Sequence, residues 1–233
     1  MGPQKKSRLV TEKDKRITAY HEAGHAVIAR VLPQCDPVHE VTIIPRGEAG
    51  GYTMTRPATD DGFISKNKLL DGICMALGGR AAEELIIQDV TSGASADIKM
   101  ITERARIMVT QLGMSEKLGP VLYGGDSEIF IGRDMGAHVN YSDETAKLID
   151  EEIERIIKEQ YERAIKTLNE YMSVLHNMAR LLVERETIYS EEIELLMQGK
   201  TVQEIEAYMD NIEAHGGHKN ELEKQAEAEG NAN

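Results

Sequence analysis

The chain has 233 residues, 41% of them apolar, which is enough to bury a real core; aromatic residues are scarce, with eight Tyr, two Phe and no Trp, and eleven Met stand beside them. Its net charge of −13 is a poor match to a phosphate backbone and argues against nucleic acid as a partner. Two cysteines far apart, Cys35 and Cys74, form neither a disulfide framework nor a thiolate metal site and are read as buried free thiols of a reducing compartment.

In chain order, residues 1–10 are basic and irregular and are expected to be a linker; they contain no apolar stretch of signal-peptide type. Thr11, followed by Glu12 and Asp14, is an N-cap signal, and a helix to about Arg30 follows. Its inward positions are expected at Ile17, Tyr20, Ala23, Gly24, Val27, Ile28 and Val31, with Pro33 ending it. Val38 to Ile44 and Gly50 to Thr55 read as two short strands of a hairpin or small sheet. Ser65 is expected to cap a helix through Leu77. Gly78-Gly79 is expected to interrupt it, with a turn or two more through Ile87. Thr91 to Ser95 is a turn and cap for a helix to about Leu112, with Ile98, Ile101, Ala105, Met108 and Val109 inward.

Residues 113–136 are loop-rich, with a short strand expected at Glu128 to Ile131. Ser142 opens the longest helix, to about Leu168, and more helix runs to Arg185. A short helix opens at Ser190, and Thr201 with Glu204 forms a capping box for the last one. Residues 215–233 lack an apolar face and are expected to be a disordered acidic tail. No apolar run approaches the length of a membrane span, so the chain as given is expected to be soluble. The fold class is mainly α, one helical domain over 11–214 with a small β element near its active site.

The chemistry is concentrated in His21-Glu22-Ala23-Gly24-His25. Residues four apart share a helix face, roughly 5–6 Å between Cβ atoms. Two imidazoles so placed converge on one zinc ion at about 2.0–2.1 Å. Glu22 is one residue from His21, so it points off the ligand line and stands beside the open coordination position. Zinc lowers the pKa of a water there to about 7, and the carboxylate can take its proton and pass it to a leaving amine. The pattern therefore predicts a zinc-dependent hydrolase of peptide bonds with Glu22 as its base.

A catalytic zinc takes three protein ligands, and no third His follows at the metzincin spacing. A carboxylate is the expected third ligand. Asp71, Glu83, Glu84, Asp89 and Asp97 are the candidates, and position alone does not choose among them. Glu83 and Glu84 could equally be helix surface, and Asp97 a first-turn acid answering the helix dipole. No basic residue carries a motif that marks it as the oxyanion stabiliser.

Four segments together resemble the peptidase domain of the FtsH family, membrane-anchored, ATP-dependent zinc proteases. They are Tyr20 to Ala26, Ala76 to Glu84, Thr91 to Ile98 and Met108 to Pro120, in that order, and the resemblance covers roughly residues 3 to 200. It implies that Asp97, in Gly93-Ala94-Ser95-Ala96-Asp97, is the third zinc ligand beside His21 and His25, that Glu22 is the catalytic glutamate, and that Glu83 and Glu84 do not bind metal. It also implies a mostly helical fold, a homo-hexameric ring, unfolded or membrane proteins as substrates, and capture of the substrate backbone by the strand near Gly50 to Thr55. A plain hairpin arm is the alternative for that strand.

The sequence contains no G-x-x-x-x-G-K-[ST] motif and no membrane span, both of which the resemblance places upstream. The chain is accordingly expected to be a piece of a longer protein, with residues 1–10 leading from an ATPase module. ATP use and attachment to the cytoplasmic side of a membrane are then expected only through the missing parts. The rival reading is a helical hexamerisation module whose zinc is structural or lost, in which residues 142–185 and 190–214 would make ring contacts.

Overall fold

The computed structural model describes residues 11–46, 49–57, 62–124 and 141–214. The linker at 1–10, the strand at Glu128 to Ile131 and the tail at 215–233 lie outside them, as do His138, His215 and His218. Seven α-helices and three short strands make up the described part. They are α1 (Glu12–Val31), β1 (Val38–Thr42), β2 (Tyr52–Thr55), α2 (Lys66–Ala82), α3 (Ser95–Thr110), α4 (Asp143–Glu170), α5 (Met172–Arg185), β3 (Thr187–Tyr189), α6 (Ser190–Met197) and α7 (Val202–Ala214). The expected mainly-α architecture is what forms. No described helix is long and apolar enough to cross a membrane.

Helix starts follow their caps. The Thr11 hydroxyl accepts the Asp14 N–H at 3.1 Å, Ser65 accepts Lys68 at 3.1 Å, and Ser142 accepts Thr145 at 3.3 Å, each satisfying an amide the helix leaves open. Before α7, the Thr201 N–H donates to Glu204 Oε2 (2.8 Å) and the Glu204 N–H to Thr201 Oγ1 (3.3 Å), a reciprocal box.

Helix α1 is the central element. Every residue from His21 to Ala29 is buried, so the helix has no solvent face over more than two turns. It packs on α2, α5 and β1. Ile28, Ile73, Leu77, Ile101, Met108, Leu168, Leu175 and Leu182 are among the fully buried side chains, each worth roughly 1.5–3 kcal/mol.

Gly78-Gly79 does not interrupt α2, which runs on to Ala82 and then widens into a π turn at Glu83–Ile87. The glycines are contact points. A Cβ on Gly24 would lie 2.3 Å from Gly78 O, and one on Gly78 would lie 2.6 Å from Gly24 O, so α1 and α2 cross backbone against backbone. A Cβ on Gly79 would lie 2.5 Å from His21 Cε1.

The sheet is antiparallel in the order β2-β1-β3. Val41 pairs with Thr53 on one side and with Ile188 on the other. Strand β3 is three residues between two helices, too short for an alternation to announce it in the sequence. Strand β2 stands at the edge of the sheet.

On α3, Ile101, Ala105, Met108 and Val109 are buried as expected, but Ile98 is 38% exposed. Both cysteines are free, Cys74 buried and Cys35 half-buried. Burial pushes each thiol up to about 12.

Candidate metal centre

His21 and His25 are one turn apart on α1, and the packing around that helix fixes both rings. His25 Nδ1 lies 2.8 Å from the carbonyl oxygen of Met75 on α2. A carbonyl only accepts, so Nδ1 carries the hydrogen and Nε2 keeps its lone pair. His21 Nδ1 lies 2.7 Å from Glu83 Oε1 at the start of the π turn, so it too carries its hydrogen and leaves Nε2 to face the ion. The rings stand edge to face, centroids 4.7 Å apart. Asp97 comes from the first turn of α3. Its Oδ2 lies 3.4 Å from His21 Nε2 and 3.7 Å from His25 Nε2.

Those separations suit a shared ion. Tetrahedral coordination with bonds of about 2.0–2.2 Å places neighbouring donor atoms about 3.3–3.6 Å apart. Two Nε2 lone pairs and one carboxylate oxygen are aimed at one point, with the opposite ring nitrogens tied off by acceptors, as metal-bound imidazoles are. Among the described residues this is the only group of three such side chains able to hold a metal.

Glu83 couples the pieces. While Oε1 takes His21, Oε2 accepts the Thr91 N–H at 2.7 Å. Thr91 caps the 3-10 turn Ser92–Ala94 that leads into α3, so the carboxylate that orients one imidazole also anchors the turn delivering Asp97. Burial opposes ionisation of Glu83, but the hydrogen bonds from His21 and Thr91 prevail and hold its carboxyl below the ordinary value.

The other candidate acids have structural partners. Asp71 accepts from Arg163 (2.7 Å) and from the Gln34 N–H (3.1 Å), joining α2 to α4. Glu84 accepts from the Tyr161 hydroxyl at 2.6 Å. Asp89 accepts the Val90 N–H at the end of the π turn. His176 pairs with the Tyr20 hydroxyl at 2.9 Å, and His39 lies on β1.

Glu22 is 6% exposed, and its Oε2 accepts from the Thr53 hydroxyl at 2.9 Å. Burial raises its carboxyl to about 7, against the opposing pull of His21 and of the Thr53 hydroxyl. Burial would lower His21, but hydrogen bonds with Asp97 and Glu83 and the charge of Glu22 outweigh it and raise the ring to about 10. His25, pushed down to about 4 by burial and then by the charge on His21, stays neutral. Three carboxylates around two imidazoles make the site one that holds positive charge, which an ion between the two Nε2 atoms would supply in place of a proton.

The group opens into a cleft of about 830 Å³, whose far wall includes Gly50, Gly51, Tyr52 and Thr53 of the β2 segment. Sequence reasoning did not find the Met75 carbonyl, Thr53 or the bridging role of Glu83. A backbone carbonyl carries no sequence signal, and Thr53 is one hydroxyl among the alternating residues of a strand.

Residues 8–196 match peptidase family M41. The chain is 51% identical over 206 residues to "ATP-dependent zinc metalloprotease FtsH 1" of Thermoanaerobacter sp. (strain X514), covering 88% of this chain and 34% of that protein. It is 52% identical over 198 residues to "ATP-dependent zinc metalloprotease FtsH 3" of Symbiobacterium thermophilum, covering 84% and 32%. It is 47% identical over 198 residues to "ATP-dependent zinc metalloprotease FtsH" of Thermotoga maritima, again 84% and 32%. The chain thus spans about a third of the length of these curated relatives.

Proposed function

Because the chain belongs to peptidase family M41, we propose that it is a zinc metalloendopeptidase domain in which His21, His25 and Asp97 hold the ion and Glu22 is the catalytic base. The observation that carries this is the convergence of His21 Nε2 and His25 Nε2 on Asp97 Oδ2 at 3.4 and 3.7 Å, with Glu22 on the same helix beside them. Zinc, when bound, polarises the scissile carbonyl and makes a water nucleophilic near neutral pH.

The chain's own residues supply the rest. Glu22 is buried and has its proton affinity raised to about 7, which suits a group that must accept a proton and then hand it to the leaving amine. The Met75 carbonyl and Glu83 hold the imidazoles in the tautomer that presents Nε2. The outer edge of β2, along the cleft, offers backbone groups to which an extended substrate could add as a strand.

We also propose that residues 11–214 are the peptidase part of a longer ATP-dependent protease, joined through residues 1–10 to an ATPase module. In that protein the ring would be a homo-hexamer on the cytoplasmic side of a membrane, acting on unfolded or membrane proteins. The relatives' names, ATP-dependent zinc metalloproteases, and the chain's share of their length support the longer, ATP-dependent protein. A pure assembly module is the weaker alternative, since it has no use for a carboxylate beside the ion.

The test is Glu22→Gln. The variant is expected to bind zinc one to one and to keep its helical content, while hydrolysis of an unfolded protein falls by about 10²–10⁴-fold. Equal hydrolysis by the variant would remove Glu22 from the mechanism.

A further inference from the structure

We propose that Thr53 is a positioning residue for Glu22, clamping the carboxylate so that one chosen oxygen is left to move protons; the proposal rests on the peptidase reading above. The Thr53 hydroxyl lies 2.9 Å from Glu22 Oε2 and 3.2 Å from the backbone carbonyl oxygen of the same residue. Both oxygens only accept and the hydroxyl has one hydrogen, which favours the carboxylate at the shorter distance. Glu22 Oε1 has no hydrogen-bond partner among the described residues, which leaves it the oxygen free to take a proton.

The hydroxyl is itself held firmly. Thr53 pairs with Val41 of β1, and Val41 pairs with Ile188 of β3. The neighbouring Thr42 ties the sheet to the end of α5, its hydroxyl 2.7 Å from Thr187 Oγ1 and 3.0 Å from the Glu186 carbonyl oxygen. Two residues before Thr53, Gly51 also lies close to the Glu22 side chain. A Cβ there would stand 3.0 Å from Glu22 Cγ and from Oε1, and 2.5 Å from Thr42 O. The carboxylate thus lies beside a hydroxyl fixed by the sheet and beside a residue that must be glycine to leave it room.

This arrangement also joins two tasks. The same strand that lines the cleft sets the orientation of the base, so a substrate seated on β2 meets a base whose position is referred to the same four residues. A displacement of about 1 Å at a reacting group can cost about 10²-fold in rate, which is the scale on which such a clamp matters.

The experiment compares Thr53→Val and Thr53→Ser with the wild type. Valine keeps the shape and strand preference of threonine and removes only the hydroxyl; serine keeps the hydroxyl. Thr53→Val is expected to lose roughly 10–100-fold in kcat on a peptide substrate with KM changed less than about twofold, and Thr53→Ser to restore kcat to within about threefold of wild type. Zinc affinity, read by competition with a chromophoric ligand, is expected to be the same in all three. In crystals of metal-free Thr53→Val, the Glu22 carboxylate is expected to leave the place it holds in the wild type.

Wild-type kcat in Thr53→Val, or an equal loss in Thr53→Ser, overturns the proposal. A lowered Tm with unchanged kcat shows a structural hydroxyl only and overturns it too. A wild type that cleaves nothing defeats the peptidase reading instead, and the Glu22 position in the metal-free crystals still decides the clamp: an unmoved carboxylate refutes it.

Discussion

Glu83 lies 2.7 Å from His21 and, through its other oxygen, 2.7 Å from the Thr91 N–H, so it touches the metal-site imidazole without being one of the three converging donors. Asp97→Asn, which replaces an anionic donor by a neutral amide, is expected to weaken zinc binding far more than Glu83→Gln. Loss of an outer hydrogen bond to a metal-bound His costs about 10–100-fold in affinity. A zinc titration of both variants checks the ranking, and the reverse order would move the third ligand to Glu83.

The crossing of α1 and α2 at Gly24 and Gly78 leaves no space for a methyl group, since a Cβ on Gly78 meets Gly24 O at 2.6 Å. Gly78→Ala is expected to destabilise by about 1–3 kcal/mol or more, because backbone and not a flexible side chain must move. Gly62→Ala has open space and serves as the control, with a change within about 0.5 kcal/mol. Urea unfolding midpoints measure both. Equal stability of the two variants would mean that the helices separate at no cost.

Acid sensitivity should have one identifiable source in Glu152 of α4. Arg155 donates to both its oxygens, at 3.0 and 3.1 Å, and the Ser115 hydroxyl to Oε2 at 2.7 Å. The hydrogen bond with Arg155 holds its carboxyl below the ordinary value, against the effect of burial, and Ser115 adds to it. A carboxyl lower in the folded than the unfolded chain contributes stability that is present above the unfolded value and disappears as pH falls through the folded one. Glu152→Gln is expected to cost about 1–2 kcal/mol at pH 7, since Arg155 is partly exposed and keeps Glu159, and to cost progressively less at an acid pH below the ordinary carboxylate range. Denaturant curves at both pH values test this; a difference independent of pH would assign the effect to packing.

Legibility in the sequence followed the range of the interaction. Caps at Thr11, Ser65, Ser142 and Thr201 are local, and their hydrogen bonds form as the residue types require. The four-residue spacing of His21 and His25 is equally local. Asp97, 72 residues beyond His25, could not be selected by spacing and entered only through the likeness of its motif to a family. Gly78-Gly79 reads as a break because glycine weakens a lone helix, and the opposing helix that makes it a contact is invisible in that stretch. Ile98 fits the apolar period of α3, yet it stays 38% exposed among the described residues. Glu83 could be noticed as an acid; its two hydrogen bonds arise from tertiary placement alone.

The backbone contact between α1 and α2 has a bearing on how an ion is received. His21 and His25 ride on one of these helices, and the Met75 carbonyl and Glu83 that orient them belong to the other and its continuation. With no side chain between the two at their crossing, neither helix can slide on the other without a backbone clash, so the rings and the acceptors that orient them keep a common frame.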